Sequence, residues 1–294
     1  MILIDQRNNR DPYINAAIEE YIVRGMVPLD TLYITMYINS PCVVVGKNQS
    51  IYKEINFDYL RSGQPVIRRV SGGGTVYHDE GNLCFAFLCS FDERKVNNYV
   101  HFNQPILDAL QRAGIDAQFN KRNDILWDEK KISGNAQFTD RKNILSHGTL
   151  LVNSDLDKLR GALKQNAFEI ESKAVSSTRS SVMNISERSD RFKTADELKE
   201  YLSKELPISG TYSFSDDEWA EINETAVSKF QSDEWLWGRN PYTKIMKQGV
   251  TIEVDGGIIV DIESGDERLK ALVGKKYNYA GLKGNVDELV KLIF

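Results

Sequence analysis

The sequence predicts an α+β protein: a large mixed-sheet domain over residues 1–240, then a small C-terminal α+β domain over residues 241–294. Three observations lead there. The order mixes antiparallel-looking strands with helices, which favours α+β over a doubly wound parallel sheet. Of the 294 residues, 41% are hydrophobic and 27% charged, enough apolar material for a substantial core. The pattern changes at Trp235-Leu236-Trp237-Gly238-Arg239-Asn240-Pro241, after which a hairpin-like pair follows.

Met1 to Ile4 reads as a short strand. Pro12 opens a helix with Ile14, Ala17, Ile18, Tyr21 and Ile22 on one face, closed by Gly25. Thr31–Ile38 and Cys42–Val45 carry the β-branched and aromatic residues of strands. Lys53–Arg61 reads as a short helix stopped by Gly63. Val66–Val70 is a strand entering a glycine-rich turn, and Thr75–Tyr77 and Leu83–Leu88 are further strands. Asn97–Arg112 is a helix with Ile106, Leu107 and Leu110 inward. Ile125–Trp127, Lys131–Phe138 and Ile144–Val152 read as strands. Asp155, Thr194 and Ser215 are N-caps of helices reaching Leu163, Leu206 and Phe230. Ser172–Ser189, rich in serine and charge, reads as surface loop. Gly249–Val254 and Ile258–Ile262 form the hairpin, turning at Asp255-Gly256-Gly257, and two short helical stretches close the chain.

Composition excludes several classes. The 37 basic and 42 acidic residues give a net charge of −5, against the basic excess of a nucleic-acid binder. Cys42, Cys84 and Cys89 sit in or beside apolar stretches and read as buried reduced thiols. The first residues lack the basic and apolar regions of a signal peptide, and no apolar run approaches ~18 residues, so a cytosolic setting with no membrane partner is expected. His78, His101 and His147 have no zinc-type spacing to cysteines, and no Gly-x-Ser-x-Gly elbow occurs.

Four segments carry chemistry. In Arg68-Arg69-Val70-Ser71-Gly72-Gly73-Gly74-Thr75-Val76-Tyr77-His78-Asp79, three glycines between strands suit close approach of phosphates to backbone N–H groups, and two arginines add positive charge. A tight hairpin with exposed arginines accounts for the same residues. The loop is neither a P-loop nor a dinucleotide turn. In Lys130-Lys131-Ile132-Ser133-Gly134-Asn135-Ala136, Lys131 precedes small residues that leave room for a ligand, and its ammonium suits charge developing at phosphorus. Solvated surface lysines are the plainer reading. In Arg122-Asn123-Asp124, Asp124 is a candidate Mg²⁺ ligand, and an Asn-Asp turn explains it equally well. In His147-Gly148-Thr149-Leu150, the glycine within a strand suits close approach, while a packed core histidine is the alternative.

In order and spacing these segments resemble the lipoate–protein ligase family over most of the first 240 residues. The resemblance includes Asn15–Glu20, Val45-Gly46-Lys47-Asn48-Gln49, Arg69 through Asp79, Gly81-Asn82, Arg122-Asn123-Asp124, Lys131–Ala136 and His147–Leu151. Downstream, Ser177–Ile185 resembles the family's serine–arginine stretch and Trp235-x-Trp237-Gly238 its Trp-containing end. The resemblance implies a biotin/lipoate ligase-like fold that binds ATP and lipoate in one pocket. It implies formation of lipoyl-adenylate with release of pyrophosphate, and transfer to a lysine of lipoyl domains of 2-oxoacid dehydrogenase E2 subunits or of the glycine-cleavage H protein. Octanoate is an alternative acid. The implied site comprises Arg69, Ser71, Gly72, Gly73, Gly74, Thr75, Val76, Tyr77, His78, Asn123, Asp124, Lys131, Ser133, Gly134, His147, Gly148 and Thr149, with Lys131 catalytic and Mg²⁺ at Asp124. An apolar tunnel for the dithiolane tail is expected near Val44, Val76 and Leu150.

The sequence departs from the pattern in two places. The segment after Pro241 is shorter than the family's usual accessory domain, and Ser181 stands where a second arginine is expected. Acyltransferases of the same fold use a cysteine downstream of the His-Gly-Thr strand and no ATP. Here no cysteine follows Leu150, which favours adenylation over an ATP-independent lipoyl or octanoyl transferase. A non-catalytic lipoate-binding module is the third reading.

Overall fold

The computed structural model describes residues 1–26, 30–282 and 294. In chain order its strands are β1 (Ile2–Asp5), β2 (Tyr33–Ile38), β3 (Cys42–Val45), β4 (Val66–Arg68), β5 (Val76–His78), β6 (Asn82–Ser90), β7 (Gln118–Phe119) and β8 (Ile125–Trp127). There follow β9 (Lys130–Ser133), β10 (Asn135–Thr139), β11 (Asn143–Leu151), β12 (Glu169–Ser172), β13 (Gly210–Ser213), β14 (Thr243–Lys247), β15 (Val250–Asp255) and β16 (Ile258–Glu263). The α-helices used below are α1 (Pro12–Tyr21), α2 (Ile51–Glu54), α3 (Phe57–Arg61), α4 (Tyr99–Arg112), α5 (Leu156–Ala162), α6 (Ala195–Glu205), α7 (Asp216–Thr225) and α8 (Asp233–Leu236). Among the described residues no helix is long and apolar enough to cross a membrane.

The largest sheet has the order β10-β11-β6-β2-β1-β13. Its first four strands pair antiparallel, while β1 lies parallel to both β2 and β13, so the sheet is mixed as expected. Strand β6 is buried on both faces, which is why it reads as an apolar run. Its alternate residues Leu83, Phe85 and Phe87 pack toward α4 and α6. Ala86 and Leu88 pack toward α1 and the aromatic residues Phe214, Phe230 and Trp235.

A smaller sheet, β4-β3-β5, stands beside it. Period-2 alternation makes β3 a seam between two cores: Cys42 and Val44 join the α1 core, whereas Val43 and Val45 join a core built with β15 and β16. The sheet β12-β14-β15-β16 is antiparallel, and its β15–β16 turn carries Gly256 and Gly257 at φ +52° and +77°. Both central residues of that turn sit where glycine is favoured, as the sequence suggests.

Several expectations need correction. Lys53–Arg61 is two short helices, α2 and α3, separated at Ile55-Asn56. Lys131–Phe138 breaks at Gly134 into β9 and β10, which belong to different sheets. Strands β12 and β13 have too few apolar residues to stand out by pattern; partners define them. The stretch Ser172–Ser189 is not simply surface loop, because Met183 and Ile185 are core residues. Of the two closing helical stretches, the first is a 3₁₀ segment, Glu267–Leu272. Of the second, Tyr279–Leu282 is helical, and residues 283–293 lie outside the described residues.

Arg68 joins these parts. It is fully buried, and burial lowers its pKa to about 10, which still leaves it charged at neutral pH. Its guanidinium donates to the carbonyls of Gly46 (3.0 Å), Gln49 (2.8 Å) and Leu236 (3.0 Å) and to Asn240 Oδ1 (3.1 Å). Arg68→Leu would strand these buried acceptors, each worth about 1–3 kcal/mol. The expected outcome is a loss of at least about 3 kcal/mol of unfolding free energy, read from urea denaturation; a midpoint equal to wild type would refute it.

Candidate active site

The glycine loop is held from behind. Arg69 Nη2 donates to Gly72 O (2.5 Å) and Gly74 O (2.7 Å), Nη1 to Val44 O (3.2 Å) and Nε to Ser71 Oγ (2.9 Å). A peptide plane that turns its carbonyl toward Arg69 turns the next N–H away. Gly73 and Thr75 therefore direct their amides to the loop's other side. Thr75 N donates to Ser177 Oγ (2.8 Å), while the amides of Gly72, Gly73 and Gly74 make no hydrogen bond among the described residues. Unpaired N–H groups in a row form an anion-binding concavity. Two glycines are demanded by geometry: Gly73 has φ +84°, and a Cβ on Gly46 would lie 2.2 Å from Gly73 O.

A chain of polar groups runs under the loop. Tyr37 on β2 donates to Glu19 Oε1 on α1 (2.8 Å). Glu19 Oε2 lies 2.8 Å from His147 Nδ1 on β11, and His147 Nε2 lies 2.7 Å from Ser71 Oγ. His147 is thus tied to a carboxylate and to the glycine loop, not packed among apolar residues. Gly148 follows it because a Cβ there would sit 2.6 Å from Phe85 Cζ. Deeper in, Asn39 Nδ2 lies 3.0 Å from His78 Nδ1, with Cys84 Sγ at 3.5 Å from the same nitrogen. Burial, reinforced by Arg69, lowers the His78 pKa to about 3, so the ring is neutral.

The opposite wall is cationic. Lys131 Nζ on β9 lies 2.8 Å from Asp124 Oδ1, and Arg122 Nε lies 4.0 Å from Oδ2, which also accepts from Asn120 Nδ2 (3.1 Å). Gly134 leaves room for the lysine, since a Cβ there would be 2.8 Å from Nζ. Residues 176–183 run alongside. Lys131 N donates to Ser181 O (2.9 Å) and Met183 N to Lys131 O (3.1 Å). Ser177 Oγ accepts from Gln49 Nε2 (3.0 Å) and donates to Glu54.

Two adjoining cavities result, of about 360 and 660 Å³. They share Thr75, Val76, Lys131, Gly134 and Thr149, so Lys131 stands at their junction. The first reaches toward Val44, Ile67 and Ala136 and toward the polar groups of Tyr37, His78 and Cys84. The second lies between β9 and α5, bordered by the 176–182 segment.

Residues 11–207 match the family model described as the lipoyl protein ligase A/B catalytic domain. Over 248 residues the chain is 40% identical to the lipoate-protein ligase LplJ of Bacillus subtilis, covering 82% of this chain and 75% of that protein. This chain belongs to the lipoate–protein ligase family. Its fold is similar to a putative lipoate protein ligase of Thermoplasma acidophilum with bound lipoic acid. The TM-score is 0.66 at 27% identity, over 80% of this chain and 97% of that one. It is also similar to a lipoate-protein ligase A bound with ATP, with TM-score 0.64 and 27% identity over 80% and 96% of the two chains.

Against this frame of a lipoate–protein ligase fold, the expected site residues fall into groups. Arg69, Gly73, Gly74, Thr75, Val76 and His78 line the first cavity, as do Asp124, Lys131, Gly134, His147, Gly148 and Thr149. Ser71 and Gly72 stand behind it, engaged with His147 and Arg69. Tyr77 packs into the core shared with β15 and β16 and borders only the second cavity, as does Ser133. Asn123 shapes a turn at φ +62°, its carbonyl accepting from Asn135 Nδ2 (2.6 Å). Of the expected tunnel residues, Val44 and Val76 line the first cavity. Leu150 does not, because it is fully buried in the α4 core.

Glu19, Tyr37, Asn39, Gln49 and Ser177 escaped the sequence reading as site residues. Glu19 is a carboxylate on the apolar side of an amphipathic helix, a signal that was available; Ser177 becomes meaningful only through its spatial neighbours. Among the described residues no three His, Cys, Asp or Glu side chains cluster to hold a metal. Asp124, a single carboxylate, suits a Mg²⁺ ion that arrives with phosphate oxygens as its other ligands.

Ser177→Ala removes the hydroxyl that bridges Gln49, Thr75 and Glu54, a loss of about 1–3 kcal/mol of local docking. The expected outcome is faster limited proteolysis within 173–181 at an unchanged global melting temperature; cleavage at the wild-type rate would count against this anchoring.

Proposed function

We propose that this protein is an ATP-dependent lipoate–protein ligase that forms lipoyl-AMP, releases pyrophosphate and passes the lipoyl group to a lysine of a partner protein. The observation that carries this reading is Lys131 at the junction of two adjoining cavities, where an acid and a nucleotide would meet at its ammonium. Residues 1–240 would form the catalytic domain binding ATP and lipoate, and residues 241–294 a short accessory domain. The partners would be lipoyl domains of 2-oxoacid dehydrogenase E2 subunits and the glycine-cleavage H protein, and the setting the cytosol.

The chemistry follows from the charges. A carboxylate must approach the α-phosphorus, and two anions repel. Lys131 moves from Asp124 toward the reacting oxygens and offsets the charge that develops there. The free amides of Gly73 and Gly74 take phosphate oxygens. Mg²⁺, with Asp124 as its protein ligand, would neutralise part of the polyphosphate charge. The product is a mixed anhydride that water destroys, and the docked 176–183 segment covers the junction. The acceptor lysine then attacks the acyl carbon and AMP leaves.

Cys84 gives the ATP-independent reading its one foothold, since it lines the first cavity beside His78. Burial raises its pKa well above the ordinary value, the reverse of what a nucleophilic thiolate needs.

Enzyme mixed with lipoate, ATP and Mg²⁺ is expected to release pyrophosphate and to add a lipoyl mass to an apo lipoyl domain. Lys131→Ala should lower the rate of adenylate formation by about 10²–10³ while its circular dichroism matches wild type. Product from an acylated donor without ATP, or wild-type turnover by the variant, would overturn the proposal.

A further inference from the structure

The far end of the first cavity, away from the junction with the second, is polar in a directed way. Asn15 Nδ2 donates to Asn9 O (3.1 Å) and to Asn39 Oδ1 (2.8 Å). A main-chain carbonyl only accepts, so it fixes the orientation of the Asn15 amide. That amide fixes Asn39, whose own Nδ2 must point at His78 Nδ1, 3.0 Å away. His78 Nδ1 is therefore an acceptor, and the proton of this neutral ring sits on Nε2. Among the described residues the atom within reach of that N–H is Cys84 Sγ, at 3.9 Å. The sulfur already accepts from Asn82 Nδ2 (3.3 Å). A backbone carbonyl, through two asparagines, thus presents one poorly paired N–H next to a thiol, both on the cavity wall.

We propose that His78 and Cys84 recognise the sulfur-bearing end of the acid, and so determine preference for a chain ending in a cyclic disulfide over one ending in hydrocarbon. This rests on the ligase reading above. A ring disulfide is polarisable and a weak acceptor, so it suits both the N–H and the neighbouring sulfur. A hydrocarbon end of the same shape leaves the N–H buried and unpaired. Discrimination of this kind comes from the mismatch left by the wrong substrate, not from the space available. His78 and Cys84 are specificity residues in this proposal and take no part in bond making.

The test separates sulfur from shape. Pyrophosphate release would be measured with lipoate, octanoate and 5-cyclopentylpentanoate, the last having a carbon ring of the same size without sulfur. The wild-type kcat/KM for lipoate should exceed that for the cyclopentyl acid by about tenfold or more. In His78→Leu that ratio should fall toward one, His78→Gln, which restores an N–H donor, should recover most of it, and Cys84→Ala should lower it about threefold. Thermal midpoints identify any variant that does not fold, and if His78→Leu is lost in this way Cys84→Ala decides. A wild-type ratio near one, or a ratio unchanged in the folded variants, overturns the proposal. Failure of all three acids to support pyrophosphate release would instead overturn the ligase reading on which it stands.

Discussion

Two adjacent buried guanidinium groups are the constraint on which the rest of the site depends. Neighbouring residues in extended chain face opposite ways, so Arg68 and Arg69 reach different parts of the molecule. Arg68 gathers the carbonyls around Gly46–Gln49 and that of Leu236 at the end of α8. Arg69 gathers the carbonyls of the glycine loop. Among the described residues neither cation forms an ion pair; each is compensated by backbone carbonyls and one neutral side-chain oxygen, which satisfy charge without adding a titratable partner. The free N–H of Gly73 follows directly, because turning the Gly72 carbonyl toward Arg69 turns the next amide away.

That arrangement also explains why the polar floor does not collapse the loop. Ser71 takes Arg69 Nε on one side and His147 on the other, so the loop and β11 are joined through one hydroxyl. Glu19 then links His147 to Tyr37 and α1. The site is built from α1, β2, β11 and the loop, elements far apart in sequence, and Glu19, His147 and Ser71 are each fixed by two neighbours. Such positioning suits a reaction in which geometry and charge, not covalent catalysis, carry the rate.

Much of this was legible in sequence. The glycine run flanked by arginines, Lys131 followed by small residues and the His-Gly pair all point to sites that the fold brings together. Less legible was the division of labour inside the motif. Arg68 and Arg69 look alike as letters and both are buried, yet one is a structural clasp and the other a loop anchor, and only their hydrogen-bond partners distinguish them. Leu150 shows the opposite failure. It sits one residue from Thr149, which lines the cavity, but strand alternation turns it to the other face of the sheet. The serine-rich segment gave no periodic signal because its order comes from single contacts, Ser177 with Glu54 and Ser181 with Lys131, and from two core residues, Met183 and Ile185, too few to make a repeating apolar face.

Those same contacts give the short C-terminal segment a physical place in the site. Thr243 Oγ1 meets Ser50 Oγ (3.0 Å), Asn240 Oδ1 accepts from Ile51 N (2.8 Å), and Tyr52 donates to Tyr277 O (2.8 Å). All three hold α2, a helix of four residues, too short to be stable on its own. Helix α2 ends in Glu54, the carboxylate that receives Ser177. Strand β12, which leads into the serine-rich segment, is held in register by β14. Asn240 and the C-terminal residues therefore brace both ends of the contact that docks the segment over the junction, and none of those described lines either cavity.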